Sequence, residues 1–181
     1  MSTHEPVVDT FSTQRTAAEL HRRFDEGFAV PAAAITGRLV NLLAIRVGSD
    51  PYALHLSEIA GLHVDLKIVP IPSPKAQLLG IVGIRGEMAP VYDLAALLNY
   101  PPAASPRWMV FARAPTLVGL AFAAFESHLQ VPEGSLASGE GTDDGTGASR
   151  QHLRGVVQAA GALRPIIHLA SVVELIKDMH S

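Results

Sequence analysis

The histidines and carboxylates of this 181-residue chain are the side chains that could bind a metal ion or support hydrolysis. No two histidines are four residues apart, the spacing that places two ligands on one helix face, and no His-x-His pair occurs. Asp143 and Asp144 lack the alternating ligand order of a calcium loop, and no Gly-x-Ser-x-Gly segment marks a serine hydrolase. Local spacing therefore predicts no catalytic residue, no metal site and no cofactor. A site assembled from histidines far apart in the chain remains an alternative.

Charge and composition exclude further classes of function. The net charge of −3 provides no basic field for a phosphate backbone, so nucleic acid is not an expected partner. The chain has no cysteine, and therefore no disulfide framework and no thiolate nucleophile. The N-terminal residues lack the order of a signal peptide, and the apolar stretches are too short to cross a bilayer. We expect a cytoplasmic protein without direct membrane insertion.

The chain contains an internal sequence repeat. Residues 80–98 read GIVGIRGEMAPVYDLAALL and residues 155–173 read GVVQAAGALRPIIHLASVV. The two segments align without a gap at an offset of 75 residues (from 80 to 155). Identical residues fall on turn glycines, a proline and apolar positions, so we expect one backbone shape to be used twice. The positions with an expected structural role are Pro90, Asp93, Gly161 and Pro165.

Hydrophobic alternation predicts a β-rich chain from residue 38 onward. We expect strands at 39–47, 52–56, 79–85, 88–93, 108–114 and 117–122, with a short extended edge at 67–72. A helical turn is expected at 57–62 and short helices at 94–99 and 169–179, where Asp93 stands at an N-cap position. In each repeat Gly86-Glu87 or Gly161-Ala162 predicts a two-residue type II′ turn, because glycine tolerates positive φ.

The remaining segments are predicted from periodicity and composition. Residues 1–11 are expected to be a flexible tail. Residues 12–28, within a segment 12–30, are expected to be an amphipathic helix that docks on its own domain or is offered to a partner. The Gly-, Ser- and Asp-rich residues 133–151 are expected to be a flexible loop.

Arg85 is the charged residue that most distinguishes the first copy from the second, which has Ala160 at this position. One interpretation is structural: the guanidinium bonds a loop carbonyl or a carboxylate such as Asp93 or Glu58. The other is a contact for a partner, since arginine is favoured at interfaces. The repeat favours the second interpretation, because the second copy is expected to build the same hairpin without the charge and to be chiefly architectural.

The segment GIVGIRGEMAPVYDLAALL closely resembles the signature of CheW-like domains, with Gly80, Arg85, Gly86, Pro90, Asp93 and Leu94 matching as they stand. The flanking runs at 40–62 and 108–125 resemble the opening strands and the start of the second barrel, so the resemblance covers about residues 38–176. It implies a mainly β fold: a tandem of two small five-stranded SH3-like β-barrels with short helices. The N-terminal helix would be extra, and the domain would span 38–179.

The resemblance implies a non-catalytic adaptor that couples a chemoreceptor's cytoplasmic tip to a CheA-type histidine kinase in receptor–kinase arrays. In that family one face of the first barrel pairs with the kinase's regulatory domain, and the groove between the barrels takes the receptor's helical hairpin. The residues implied for partner binding are Arg85, Ile59, Gly80, Ile84 and Gly86.

The chain also departs from the family pattern. Gly83 stands where the signature has asparagine, His168 replaces a carboxylate or amide, and Phe122-Ala123-Ala124-Phe125 lacks the usual aspartate. These differences leave two alternatives open: a divergent CheW-like interaction module of an auxiliary or non-chemotaxis pathway, and a small metal-dependent or hydrolytic enzyme.

Overall fold

The structure, a computed structural model, describes residues 38–101, 106–137 and 150–179. The predicted tail and helix within residues 1–30 lie outside the described residues. The strands are β1 (Leu39–Val47), β2 (Asp50–His55), β3 (Ile59–Val64), β4 (Leu78–Ile84), β5 (Glu87–Asp93), β6 (Trp108–Ala112), β7 (Val118–Phe122), β8 (Ala124–Pro132), β9 (Leu136–Ala137), β10 (Leu153–Ala159) and β11 (Ala162–Ile167). Helices α1 (Leu94–Leu97) and α2 (Leu169–Asp178) follow β5 and β11, and 3-10 turns cover Leu56–Glu58, Glu133–Ser135 and Arg150–His152.

The described strands form two sheets. Sheet 1 has the order β8-β1-β2-β11-β10-β9, and sheet 2 has the order β3-β6-β7-β5-β4. The predicted mainly β fold is therefore confirmed, and the described strands form two sheets with six strands rather than five in sheet 1. The closure of the sheets into barrels and the division of 38–179 into two barrel subdomains stay predictions. Sheet 2 is continuous in sequence, whereas sheet 1 combines the first two strands with the last four. The edge strands β8 and β9 of sheet 1 are joined by a 3-10 turn, and in sheet 2 Val69, beyond β3, pairs with Ile81 of β4. In both sheets the chain thus connects one edge to the other.

The main apolar core lies between the two sheets. Strand β7 shows how the strands supply it: Val118, Leu120 and Phe122 enter this central core, while Ala121 faces a smaller core on the other side of sheet 2. Sheet 1 has its own smaller core in the same way. Because β7 is buried on both faces, it reads as a continuous apolar run rather than an alternating one. Both helices also place apolar residues in the central core.

The duplicated passage forms the same structural unit twice. The first copy comprises β4, β5 and α1, and the second comprises β10, β11 and α2. Each hairpin has a register shift next to its first glycine, Gly80 or Gly155. Pro90 and Pro165 take equivalent places in β5 and β11. One backbone shape is therefore used twice, as the sequence predicts.

The turns of the two hairpins differ from the prediction by one residue. The turn residues are Arg85-Gly86, with φ of 51° and 84°, and Ala160-Gly161, with φ of 50° and 74°. The predicted type II′ turn at Gly86-Glu87 is therefore wrong, and so is its counterpart in the second copy. Positive φ at both central residues is the property of a type I′ turn, whose twist matches that of the flanking strands.

The segment after β2 also differs from the prediction. The helical turn expected at 57–62 is a 3-10 turn that ends at Glu58, and Ile59 begins β3 opposite Ala112. The side chain of Ile59 is 5% exposed and belongs to the central core. The 3-10 turn ends early because the extended backbone from Ile59 onward places this apolar side chain in the core.

The loop expected at 133–151 contains ordered elements at both ends. Its first residues form a 3-10 turn and β9, which pairs with β10, and its last residues belong to the 3-10 turn at Arg150–His152. Residues 138–149 lie outside the described residues.

The second copy buries a charge where the first copy has a small apolar residue. Arg164, 3% exposed, occupies the place of Ala89, and its Nη1 lies 2.7 Å from Oε2 of Glu126 in an ion pair without hydrogen-bond geometry. The Nε of Arg46 donates to Oε1 of Glu126 at 2.6 Å. Burial raises the pKa of Glu126, but the two guanidinium groups outweigh it and hold this pKa below its usual range. The second copy is therefore more than a plain apolar scaffold.

Gly80 allows the backbone of β4 to approach the backbone at Val69 closely. Its φ is 147°, and a Cβ there would lie 2.2 Å from the carbonyl oxygen of Val69, which Ile81 holds in place by a backbone hydrogen bond of 2.9 Å. We expect Gly80→Ala to lower the free energy of unfolding by about 2 kcal/mol or more, measured by urea denaturation. In the control Gly83→Ala the new Cβ meets only the Met88 sulfur, at 3.7 Å, so the change should stay within about 0.5 kcal/mol. Equal effects would show that the close approach at Gly80 is not what the glycine provides.

Candidate partner-binding surface

Arg85 stands at the tip of the β4–β5 hairpin, as the first residue of the tight turn. Its side chain is exposed, and it makes no hydrogen bond or ion pair with any described residue. The two carboxylates that a structural role would require are engaged elsewhere: Asp93 accepts the N–H groups of Ala95 and Ala96 at the start of α1, and Glu58 pairs with Arg154 at 3.1 Å. The guanidinium of Arg85 is therefore available to another molecule.

The backbone at Arg85 adopts a conformation that a residue with a Cβ rarely takes. A left-handed conformation costs a non-glycine residue roughly 1–2 kcal/mol. Ala160 shares this conformation, with φ of 50° against 51° at Arg85. The strain therefore belongs to the turn that both copies use, and only the side chain distinguishes the first hairpin.

A small cavity opens beside the tip of this hairpin, with a volume of about 250 Å³. Phe111, 1% exposed, provides apolar surface in its wall, and the ring of His63 packs edge-on against it with 5.4 Å between ring centroids. The lining residues are Ala60, Gly61, His63, Ile84, Arg85, Glu87, Phe111 and Leu117. The volume is below the range of about 300–1,000 Å³ that is usual for small-molecule sites. It suits a single anchoring side chain of a protein partner better, with the charges of Arg85 and Glu87 at its rim.

The structure brings together some of the predicted partner-binding residues and separates others. Ile84, Arg85 and Gly86 lie next to one another at the tip, where Gly86 is exposed. Gly80 lies at the far end of β4 against Val69, and Ile59 is buried in the central core. These two residues therefore do not belong to the exposed tip, and a direct partner contact for them stays a prediction.

Several residues that complete the cavity are not predicted from the sequence. His63, Phe111 and Leu117 come from β3, from β6 and from the connection that follows β6. Nothing in their local patterns sets them apart from other strand and turn residues. Only the pairing of β3 with β6 brings them beside Arg85.

A second surface lies between sheet 2 and α2. A groove of about 160 Å³ separates the connection after β6 from the outward face of α2. Its rim carries charges of both signs, and its lining residues are Glu58, Ala112, Arg113, Ala114, Pro115, Leu169, Ala170, Val173, Glu174 and Lys177. We call this surface the interlobe groove, because one wall is α2 of the second copy and the other is the connection after β6 of sheet 2.

Within residues 38–101, 106–137 and 150–179, no group of three or more histidine and carboxylate side chains is arranged to hold a metal ion. None of the helices in this part of the chain is long and apolar enough to span a bilayer.

Comparison with known proteins identifies the relatives of this architecture. The sequence profile of the CheW-like domain matches residues 41–177. A curated relative, "Probable chemotaxis protein CheW" from Rhizobium etli, is 29% identical over 62 residues, which cover 34% of this chain and 40% of that protein. The match thus spans well under two thirds of the relative's length. The crystal structure of the scaffolding protein TtCheW from Thermoanaerobacter tengcongensis superimposes with a TM-score of 0.64 and 16% identity, covering 72% of this chain and 89% of that one. At this identity the structural match supports the fold alone.

The shared turn allows the role of the Arg85 side chain to be tested without a partner. Arg85→Gly and Ala160→Gly both relieve the left-handed strain, so we expect both to leave the free energy of unfolding unchanged or to raise it by at most about 1 kcal/mol. Thermal and urea denaturation would measure both variants. If Arg85→Gly destabilised the protein by more than about 1 kcal/mol while Ala160→Gly did not, the guanidinium would have a structural role.

Proposed function

The chain belongs to the CheW-like domain family, and on this premise we propose that it is a non-catalytic adaptor between a chemoreceptor and a CheA-type histidine kinase. The observation that carries the proposal is the family match over residues 41–177, with the signature segment at its centre. That segment forms a hairpin whose arginine is exposed and unpaired among the described residues. An arginine held in this way is suited to a protein partner, because its planar guanidinium can make several directed hydrogen bonds.

We assign the kinase contact to the tip of the first hairpin. The side chain of Arg85 would pair with a carboxylate or carbonyl of the kinase's regulatory domain, and the adjacent cavity would accept one apolar side chain. Met88, 63% exposed, adds apolar surface next to the turn. An apolar anchor in a pocket with an arginine at its rim is a typical arrangement of an energetic hot spot.

We assign the receptor contact to the interlobe groove. The cytoplasmic tip of a receptor is a helical hairpin, and a groove walled by α2 can receive the side of such a helix. The charges of Arg113, Glu174 and Lys177 at its rim would set the register of that helix rather than supply most of the affinity. The protein would then be a cytoplasmic component recruited to receptor–kinase arrays.

The departures from the signature favour a second candidate, an interaction module that serves a divergent or auxiliary signalling pathway. Gly83 removes the asparagine side chain from the strand that leads to Arg85, and His168 changes the start of α2. Both changes lie beside the two proposed surfaces. They would alter which receptor or kinase is recognised without altering the adaptor's mode of binding. No observation favours the metal-dependent or hydrolytic alternative.

Replacing the arginine at the hairpin tip tests the proposed kinase contact. We expect Arg85→Ala to weaken binding of the kinase's regulatory domain by about 1–3 kcal/mol, the usual range for an interface arginine, with an unchanged melting temperature. Isothermal titration calorimetry would measure the affinity. The matched control is Arg107→Ala, which removes another exposed guanidinium, one that pairs with Asp65 at 2.6 Å outside the cavity. Equal losses in both variants would indicate a general charge effect. Absence of binding of both partners to the folded wild-type protein at micromolar concentration would refute the adaptor function itself.

Filling the interlobe groove tests the proposed receptor contact. We expect Ala170→Trp, at an exposed position of α2 that lines the groove, to weaken binding of the receptor tip about tenfold or more while the kinase domain still binds. Asp178→Trp is the control, because this exposed residue of α2 is absent from the groove lining. If the two variants weakened receptor binding equally, the groove would not be the receptor site.

A further inference from the structure

The two copies of the repeat cap their helices in different ways. In the first copy Asp93 caps α1 locally, with its Oδ1 accepting the N–H of Ala95 at 2.8 Å. In the second copy His168 stands at the N-cap and makes no side-chain cap. The N–H of Leu169 is instead accepted by Oε2 of Glu58 at 3.0 Å. The start of α2 is therefore held by a carboxylate from the connection between β2 and β3.

Cationic and titratable groups surround the Glu58 carboxylate. Its Oε1 lies 3.1 Å from Nη1 of Arg154 and 3.7 Å from Nε2 of His168. His55, at the end of β2, is close enough to this carboxylate and to its neighbours for their charges to affect the pKa of the His55 imidazole. Burial lowers the pKa of His55, Glu58 opposes this, and Arg154 and His168 lower it further.

His152 is the buried member of this cluster, at 4% exposed. Its Nδ1 lies 3.2 Å from Oγ of Ser171, and its Nε2 lies 3.1 Å from Nε2 of Gln151. Because the hydroxyl of Ser171 donates to the carbonyl of His168 at 2.9 Å, its oxygen accepts from Nδ1 of His152. The amide of Gln151 then donates to Nε2, so the network fits a neutral imidazole. Burial lowers the pKa of His152, and His168 lowers it further.

The start of α2 is therefore surrounded by more cationic and titratable nitrogen groups than carboxylates. Glu58 is the carboxylate in direct contact with it, while β10 contributes Arg154 and the three imidazoles approach from β2, the 3-10 turn before β10 and the end of β11. Arg113 follows β6 and donates its backbone N–H to the carbonyl of Glu58 at 2.7 Å. On α2 itself, Glu174 and Lys177 line the same groove one and two turns further along. The N-terminus of a helix carries a partial positive charge, so added protons are unfavourable there.

We propose that Glu58 positions α2 from outside the helix, and that protonation of His55 and His152 releases α2 from this position. Protonation of His152 would place an N–H of the imidazolium against the amide group of Gln151 that now donates to it. It would also add a positive charge beside Ser171, in the first turn of α2. In the first copy α1 is capped by the carboxylate of its own Asp93.

The direction of the pH dependence follows from the two lowered pKa values. In the seated state, in which Glu58 holds the start of α2, the pKa values of His55 and His152 lie below the ordinary value of 6.5. Both histidines therefore bind protons more readily when α2 is released. The seating of α2 is therefore complete above about pH 6.5 and is lost as the pH falls below that value. Uptake of one proton on release makes the released state up to about tenfold more populated for each pH unit below this point.

The attachment of α2 through Glu58 goes beyond the adaptor function and does not depend on it. The effect of this attachment on a partner rests on the proposed receptor contact, because α2 forms one wall of the interlobe groove. A helix docked in that groove would bind more weakly in acid, whereas the contact at Arg85 would be unaffected.

Hydrogen exchange of the isolated full-length protein tests this inference without any partner. The reporters are the amide of Val172, which donates to His168, and the amide of Met179, which donates to Leu175. Between about pH 7.5 and about pH 5.5, after correction for intrinsic rates, we expect their protection to fall about tenfold or more relative to the amide of Leu98 at the end of α1. An equal loss in both helices, or none, would overturn the proposal.

Variants separate the histidines from a general effect of acid. The variant His55→Gln keeps the buried His152 and should reduce the acid-induced loss about threefold or more. His128→Gln, an exposed histidine on β8, is the control and should leave the loss unchanged. Glu58→Gln keeps an acceptor for the N–H of Leu169 but removes the charge, so α2 should lose protection already at about pH 7.5. A full acid-induced loss in His55→Gln, or full protection in Glu58→Gln, would each contradict the proposal.

Discussion

The apolar layer between the two sheets is the constraint on which the rest of the structure depends. Side chains from both sheets and from both helices meet there, among them Leu54, Leu120 and Leu169, each at most 1% exposed. Burial of one such side chain stabilises the fold by roughly 1.5–3 kcal/mol, whereas a helix cap contributes about 1 kcal/mol. The core therefore holds the sheets together, and polar contacts such as those of Glu58 decide how the helices sit on it. Because the sheets are held against each other, the hairpin tip and the interlobe groove keep fixed positions on the surface.

Duplication supplied the protein with one backbone unit and two sets of side chains. Both hairpins use the same strained turn, so the difference between Arg85 and Ala160 changes chemistry without changing shape. The helices that follow differ in the same way, since α1 is capped by its own Asp93 and α2 by the distant Glu58. The second copy is no plain scaffold, because the buried Arg164 and the His168 at the start of α2 are its own. Each copy can therefore serve a different surface within one fold.

This division of labour fits the requirements of an adaptor. A protein that joins two partners needs surfaces that do not compete, and a hairpin tip on sheet 2 and a groove beside α2 are lined by different residues. The tip depends on a rigid turn and a preformed cavity. The groove depends on a helix whose attachment involves titratable groups, so the two surfaces can respond differently to the same change of conditions.

Local patterns in the sequence determined much of this protein. They located β1 at its observed bounds, the duplicated hairpin-and-helix unit, the N-cap position of Asp93 and the family, because alternation, turn glycines and capping act over a few residues. The same patterns misplaced the turn at Arg85-Gly86 by one residue, since glycine can occupy either central position of such a turn. Only the tertiary structure decided that Ile59 is buried, that His63 and Phe111 flank Arg85, and that Glu58 caps α2. These features depend on which strands lie side by side and on how the first two strands join the last four in one sheet, and no local pattern encodes that pairing.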